Sequence, residues 1–189
     1  MVDGVGAPSR RRFLDAARAC RAVCFYAAAR VSEALALRWE HVDFETATIA
    51  IPGTKTEASD GTVRLLPALV TELRAHRARQ AALGFDRVKP DSPIFQTDSG
   101  KRPHRRNVLR AVNRASERAG LVAEGQEVVG VHDLRHSLAG CAFGLGLSPV
   151  EVSKMLRHAN AQVTLTVYAG LADSAALAAG DKLAESFGQ

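Results

Sequence analysis

The run Val131-His132-Asp133-Leu134-Arg135-His136-Ser137 concentrates side chains able to do chemistry. A polar, glycine-punctuated stretch (residues 124–130) precedes it, and an apolar segment (residues 138–147) follows. That context predicts the first turn of a buried helix, on which His132 and Arg135, three apart, share a face. An imidazole beside a guanidinium at a helix N-terminus would form an anion site, with unpaired backbone N–H groups and the helix dipole adding to it. Two other readings fit the same residues. Arg135 can be a surface charge and His132 a donor near the cap. Alternatively, His132 and His136, four apart with Asp133 between them, imitate the zinc-binding H-E-x-x-H arrangement. A zinc hydrolase needs a third ligand, for which His158 is the candidate, and usually a glutamate base. The remaining chain has to discriminate.

Other chemistry-bearing residues are scattered. Arg30 follows eight apolar residues (22–29), so it is at least partly buried and needs a carboxylate or a phosphate. Glu33 is close enough to be the carboxylate. Lys55 sits in a polar loop (residues 52–61), where a solvated lysine is the ordinary expectation. The densest basic run is Lys101-Arg102-Pro103-His104-Arg105-Arg106. It leads into a stripe of Arg110, Arg114 and Arg118, spaced to share one helix face and able to follow a DNA backbone.

The elements that must position these groups are mostly helical. Phe13, Ala17, Cys20, Cys24 and Ala27 recur at helical spacing from residue 9 onward, and Arg30 then precedes a second helix. Residues 39–44 read as a turn. The alternating, β-branched residues 46–51 and 62–66 read as two strands of a hairpin around the Lys55 loop. Helices are expected over 67–83 and 107–119, with a short strand or extended piece at Ile94-Phe95. Ser148-Pro149-Val150-Glu151 is a capping box with proline at the first helical position. Its helix runs to about Arg157, and Asn160 can cap a further short helix carrying Tyr168. The fold class is therefore mainly α with a small antiparallel β-sheet (α+β).

The 189 residues suit one domain, burying roughly 70% of the unfolded surface. A net charge of +5 and a pI near 9.5 favour a polyanionic partner. Arginine outnumbers lysine 20 to 5, a bias that a GC-rich genome also produces. Cys20, Cys24 and Cys141 are odd in number and lie in apolar helical contexts, which points to reduced core residues in a cytoplasmic protein. The apolar run 22–29 is far short of the ~18 residues that span a membrane, and residues 1–12 have no signal-peptide core. Tyr26, the only tyrosine besides Tyr168, is expected in the core.

Taken in order, Arg30-Val31-Ser32-Glu33-Ala34-Leu35-Ala36-Leu37-Arg38-Trp39, Gly53-Thr54-Lys55-Thr56, His132-Asp133-Leu134-Arg135-His136-Ser137, Leu156-Arg157-His158 and Tyr168 resemble the catalytic domain of the tyrosine recombinases, the phage integrase family. The resemblance covers residues 9–171, with 1–8 a disordered lead-in and 172–189 a tail helix. It departs from the family at two places where glycine is usual: Ala28-Ala29 before the first arginine, and Arg157 before the late histidine. Members of the family usually carry a separate N-terminal domain that clasps the DNA, which is expected to be absent here.

The resemblance implies site-specific recombination of double-stranded DNA, by a homotetramer on paired sites and in association with the nucleoid. It makes Tyr168 the nucleophile that leaves a 3′-phosphotyrosyl link. Arg30 and Arg135 would clamp the non-bridging oxygens, Lys55 would protonate the leaving 5′-oxygen, His132 would assist proton transfer and His158 would hydrogen-bond the phosphate. The chemistry is consistent with this set. A tyrosine of pKa ~10 is about 0.1% ionised at pH 7, so forming its phenolate costs roughly 4 kcal/mol, which a cationic cluster offsets. No metal or other cofactor is expected, because the phosphotyrosine retains the energy needed for rejoining. Lys101, Arg102, Arg105 and Arg106 are expected to contact DNA. A non-catalytic DNA-binding remnant and the zinc hydrolase are the alternatives.

Overall fold

The computed structural model describes residues 6–53, 61–121 and 128–157, with only the backbone described for 6–10. Lys55, His158 and Tyr168 lie outside the described residues, as do the expected Asn160 helix and the tail. The described elements are α1 (Gly6–Tyr26), α2 (Val31–Ala36), β1 (Val42–Asp43), β2 (Thr48–Ile51), β3 (Gly61–Arg64), α3 (Pro67–Ala81), α4 (Arg105–Arg118), α5 (Val131–Gly144) and α6 (Pro149–Met155), with short 3-10 turns at Trp39–His41 and Phe85–Val88. The chain is mainly helical with one small antiparallel sheet.

The 21-residue α1 is the centre of the packing. Its buried residues Ala16, Ala19, Cys20, Val23 and Cys24 recur at three- and four-residue steps with neighbours between, a stripe that faces inward over the second half of the helix and continues to Ala27 just beyond it. Small side chains on this stripe let α3, α4 and α5 approach it closely. From α3, Leu69 and Leu73 are fully buried, each worth about 2 kcal/mol by removal from water. This main core continues through Leu37, Trp39, Ile49, Ile51, Val108 and Val112. A smaller cluster of Ala28, Ala139, Ala142, Phe143, Val152 and Leu156 joins the end of α1 to α5 and α6.

The sheet has three strands in the order β1-β2-β3, with Val42 opposite Ile49 and Ile49 opposite Val63. The sequence suggested two strands and a turn over 39–44. The extra strand arises because the Asp43 carboxylate accepts from the N–H groups of Glu45 and Thr46, at 2.8 and 3.1 Å, and turns the chain back on itself. Ala47 then adopts φ 51°, so β2 starts at Thr48 rather than at residue 46. Ile94 is not in a strand; its N–H reaches the Leu37 carbonyl beside the single Arg38–Pro93 bridge. The helix expected from residue 9 begins earlier, at Gly6. Cys20 and Cys24 are buried as expected, but Cys141 is exposed. On α5 it lies away from Ala139, Ala142 and Phe143, which take the inward face. Tyr26 is half-buried rather than a core residue, and it lines a surface cavity with a volume of about 610 Å³.

His76 is fully buried between the rings of Trp39 and Phe95, and its Nε2 donates to the Ile94 carbonyl at 2.9 Å. Burial pushes its pKa below the ordinary histidine value, against the opposing effect of that hydrogen bond. A base with a depressed folded-state pKa contributes its full stability above the unfolded value of about 6.5, and loses it as pH falls through the lower folded-state value. Urea unfolding should therefore show a stability loss from pH 7 to pH 5 that is shallower in His76→Gln, which keeps a donor for Ile94 but cannot titrate. An unchanged slope would exclude His76 as a source of the acid sensitivity.

Candidate active site

The site is assembled where three helices end or begin. α1 stops at Tyr26, and Ala28 takes up φ 48°, a left-handed turn that redirects the chain into α2. Arg30 is the residue before α2, and Glu33 is in its first turn. The Glu33 carboxylate reaches back to accept from the Arg30 backbone N–H at 2.9 Å and from its guanidinium Nη1 at 2.6 Å. One side chain thus caps the helix and forms an ion pair. Glu33 is fully buried, whereas the Arg30 side chain keeps 40% of its surface exposed.

Glu33 Oε2, the oxygen that accepts the Arg30 backbone N–H, is also held from across the fold. Arg157, just past the end of α6, donates from Nη2 to Glu33 Oε2 at 2.7 Å and lies 3.5 Å from the Ala28 carbonyl. Its backbone, like that of Ala28, is left-handed, with φ 52°. These are the two neighbourhoods where the sequence lacks the glycine usual in the resembling family, so the conformation is retained without the residue that adopts it freely.

Arg135, in the first half of α5, is buried. It donates from Nη1 to the Ala28 carbonyl and from Nη2 to the Leu156 carbonyl. Both carbonyls belong to the turns that finish α1 and α6, where backbone acceptors lack helical partners and carry partial negative charge. Arg30, Glu33, Arg157, the Ala28 carbonyl and Arg135 therefore form one connected network.

His132 is exposed, and its ring meets that of His136 edge to face, with centroids 4.5 Å apart. His132 and Arg135 both lie on the first turns of α5, with Arg135 buried on its two carbonyl acceptors and His132 exposed. The α5 N-terminus is served by Asp133, whose carboxylate accepts from the Gly130 N–H at 2.7 Å. Burial, followed by the His132 charge, lowers the pKa of His136. Among the described residues no three histidine, cysteine or carboxylate side chains group as metal ligands.

Lys101, Arg102, Arg105 and Arg106 are exposed, as are Arg110, Arg114 and Arg118 along α4. Arg102 donates to the Ala36 carbonyl at 3.2 Å, which anchors the basic run to the end of α2. His104 caps α4: its Nδ1 accepts from the Arg106 N–H at 3.2 Å. Sequence reasoning noted Arg157 only as a departure and missed it as a member of the site. The available signal was a charged residue closing an apolar, strongly capped helix, where burial demands a partner.

The model of the phage integrase family matches residues 15–175. The chain belongs to that family. A XerC-like tyrosine recombinase of Caldanaerobacter subterraneus subsp. tengcongensis is 25% identical over 170 residues, covering 74% of this chain and 41% of the relative. XerA recombinase has a similar fold, with a TM-score of 0.67 and 21% identity, over 96% of this chain and 63% of that one. The Tn1549 transposon integrase, solved in complex with transposon right end DNA, reaches 0.70 at 15% identity, over 95% and 65% respectively. XerH site-specific recombinase, bound to palindromic difH substrate, reaches 0.69 at 21%, over 93% and 52%. This integrase-family chain thus spans less than two thirds of each of these relatives.

Removing the shared carboxylate leaves one fully buried and one half-exposed guanidinium without a counter-charge. Glu33→Ala should lower the unfolding free energy by about 3–5 kcal/mol in urea titrations. Asp133→Ala, which removes only a cap, should cost about 1 kcal/mol. Equal losses in the two variants would mean that Glu33 acts as a cap alone.

Proposed function

We propose that this chain is the catalytic domain of a site-specific DNA recombinase that cuts and rejoins duplex DNA through a 3′-phosphotyrosyl intermediate. The observation that supports this most is the network joining Arg30 to Arg135, two arginines far apart in sequence that are linked through Glu33, Arg157 and the Ala28 carbonyl. Two guanidiniums held this way supply permanent, oriented positive charge for the non-bridging oxygens of a phosphodiester. The exposed part of Arg30 is the edge through which a phosphate can approach.

In this proposal the Tyr168 hydroxyl attacks phosphorus. A bond forms from its oxygen to phosphorus as the bond to the 5′-oxygen breaks. His132 assists removal of the tyrosine proton, and Lys55 delivers a proton to the departing 5′-oxygen. His158 hydrogen-bonds a phosphate oxygen. Rejoining is the same step in reverse, with the 5′-hydroxyl as nucleophile, so each strand exchange conserves the number of phosphodiester bonds. The exposed run of Lys101, Arg102, Arg105 and Arg106 with the α4 stripe would track the backbone of the duplex. Four copies on two paired sites would complete a reaction in which four strands are exchanged, acting at the nucleoid.

Arg135 carries a structural duty as well, since Arg135→Ala would remove a charged donor from each of two buried carbonyls, leaving Ala28 only the longer contact from Arg157. Arg30→Ala is therefore the cleaner probe of the phosphate. With nicked suicide substrates, the full chain should give an SDS-resistant protein–DNA adduct that Tyr168→Phe abolishes and Arg30→Ala slows at least about 100-fold. Duplex binding with no adduct under any condition would instead identify a non-catalytic DNA-binding domain. Arg105→Ala and Arg106→Ala should each weaken duplex binding regardless of sequence and reduce the salt slope of log K by about 0.9. Unchanged slopes would remove these residues from the DNA interface.

A further inference from the structure

Arg157 occupies its position at several energetic costs. Its φ of 52° is unfavourable for a residue with a side chain, by about 1–2 kcal/mol. The guanidinium is buried, and its Nε and Nη1 have no hydrogen-bond partner among the described residues. Its aliphatic stem also needs a glycine opposite: a Cβ on Gly61 would lie 2.9 Å from the Arg157 Cδ. Burial lowers the Arg157 pKa and the nearby Arg30 charge lowers it further, while Glu33 raises it. A glycine here would avoid every one of these costs. What the arginine gains in return is the Glu33 carboxylate.

Glu33 is the reason that gain matters. Its carboxylate is fully buried beside Arg30, the arginine that the proposed reaction needs at the phosphate. With only those two groups present, the positive and negative charges would cancel, and the carboxylate would repel an approaching phosphodiester. A second guanidinium on the far oxygen restores the balance: two arginines share one carboxylate, leaving a surplus of one positive charge before Arg135 is counted.

We infer that Arg157 is a positioning residue for the strand-transfer reaction, which neutralises the buried Glu33 carboxylate so that Arg30, held on the opposite oxygen, keeps its charge for the scissile phosphate. This rests on the recombinase reading above. Arg157 acts through Glu33 and does not itself touch the DNA. Gly61, at the start of β3, is the second half of the device, because it leaves the space through which the Arg157 stem reaches α2.

The test is the rate of covalent adduct formation on a nicked suicide substrate, with melting temperature and duplex affinity measured alongside. Arg157→Met, which keeps the stem and removes the charge, should slow cleavage about 10- to 100-fold with duplex affinity little changed. Arg157→Lys should recover most of the rate. The double variant Glu33→Gln with Arg157→Met should also recover it, because the carboxylate that required neutralising is gone. A methylphosphonate at the scissile position, which lacks one phosphate charge, should shrink the Arg157→Met defect. Gly61→Ala, which pushes the stem aside, should slow the wild type but add nothing to Arg157→Met. Wild-type rates in Arg157→Met, or a defect that neither Lys nor Glu33→Gln relieves, would overturn the inference; the second outcome would make Arg157 a packing strut.

A separate measurement distinguishes this failure from failure of the recombinase reading. Inorganic sulfate should raise the melting temperature through a component that Arg30→Ala removes. That component should weaken about tenfold in Arg157→Met and return in the double variant. If the wild type forms no adduct but sulfate follows this pattern, the recombinase reading falls and the role of Arg157 stands. If Arg157→Met binds sulfate like the wild type, the role of Arg157 falls.

Discussion

The geometry of the candidate site depends on one buried guanidinium satisfying two helix ends. Arg135 lies inside the protein, where a charged fork without acceptors would be prohibitive. The carbonyls of Ala28 and Leu156 lie just past the helical residues of α1 and α6, where acceptors have lost their partners. Each side solves the problem of the other. The consequence is positional: α5 cannot shift along α1 or α6 without breaking a charge-assisted bond, and the small cluster of Ala139, Phe143, Val152 and Leu156 closes around that constraint. Packing alone would fix such a junction loosely, because alanine-rich surfaces slide at little cost. The directional bonds of Arg135 set its register.

Strain concentrates at the same junction. Ala28 and Arg157 are two of only three described non-glycine residues with positive φ, and both lie beside the network of charges. Such conformations persist only where surrounding contacts over-determine them. Here the Ala28 carbonyl is held by Arg135, and the Arg157 side chain is held by Glu33. The left-handed turn at Ala28 brings Arg30 to the start of α2, and the one at Arg157 ends α6 facing β3. A straighter backbone at either place would carry the charged side chain elsewhere.

Much of this fold was legible because its signals are local. The Ser148 capping box, the inward stripe of α1 and the alternating residues of β2 each specify an element from a few neighbouring side chains. Strand β1 was not legible, since it depends on an Asp43 turn that bends two residues into pairing range. The burial of Cys141 was misjudged for a related reason: an apolar helix has an outward side, and only its neighbours decide which side that is. In the site, residue types were readable from the family pattern, while their pairings were not. Arg135 reads as an anion ligand from its sequence neighbours, and nothing local announces that carbonyls from two distant turns will claim it. Arg157 was visible as an irregularity, but its partner Glu33 lies far away in the chain.

Of the two partners the sequence offered Arg30, the structure shows the carboxylate of Glu33, and it leaves part of the guanidinium side chain exposed. A carboxylate partner and a phosphate partner are rivals only for a guanidinium that is wholly enclosed. Glu33 takes one terminal nitrogen of Arg30 and also its backbone N–H, so the carboxylate fixes where the side chain begins and how its fork is oriented. The 40% of the side chain left exposed is the part this clamp does not cover. An arginine presented without such a clamp would lose more rotamer entropy on meeting an anion than one already held. Under the proposed function, this structural partner would prepare Arg30 for a second one, and the buried carboxylate would be tolerable beside a phosphate because more than one guanidinium shares it.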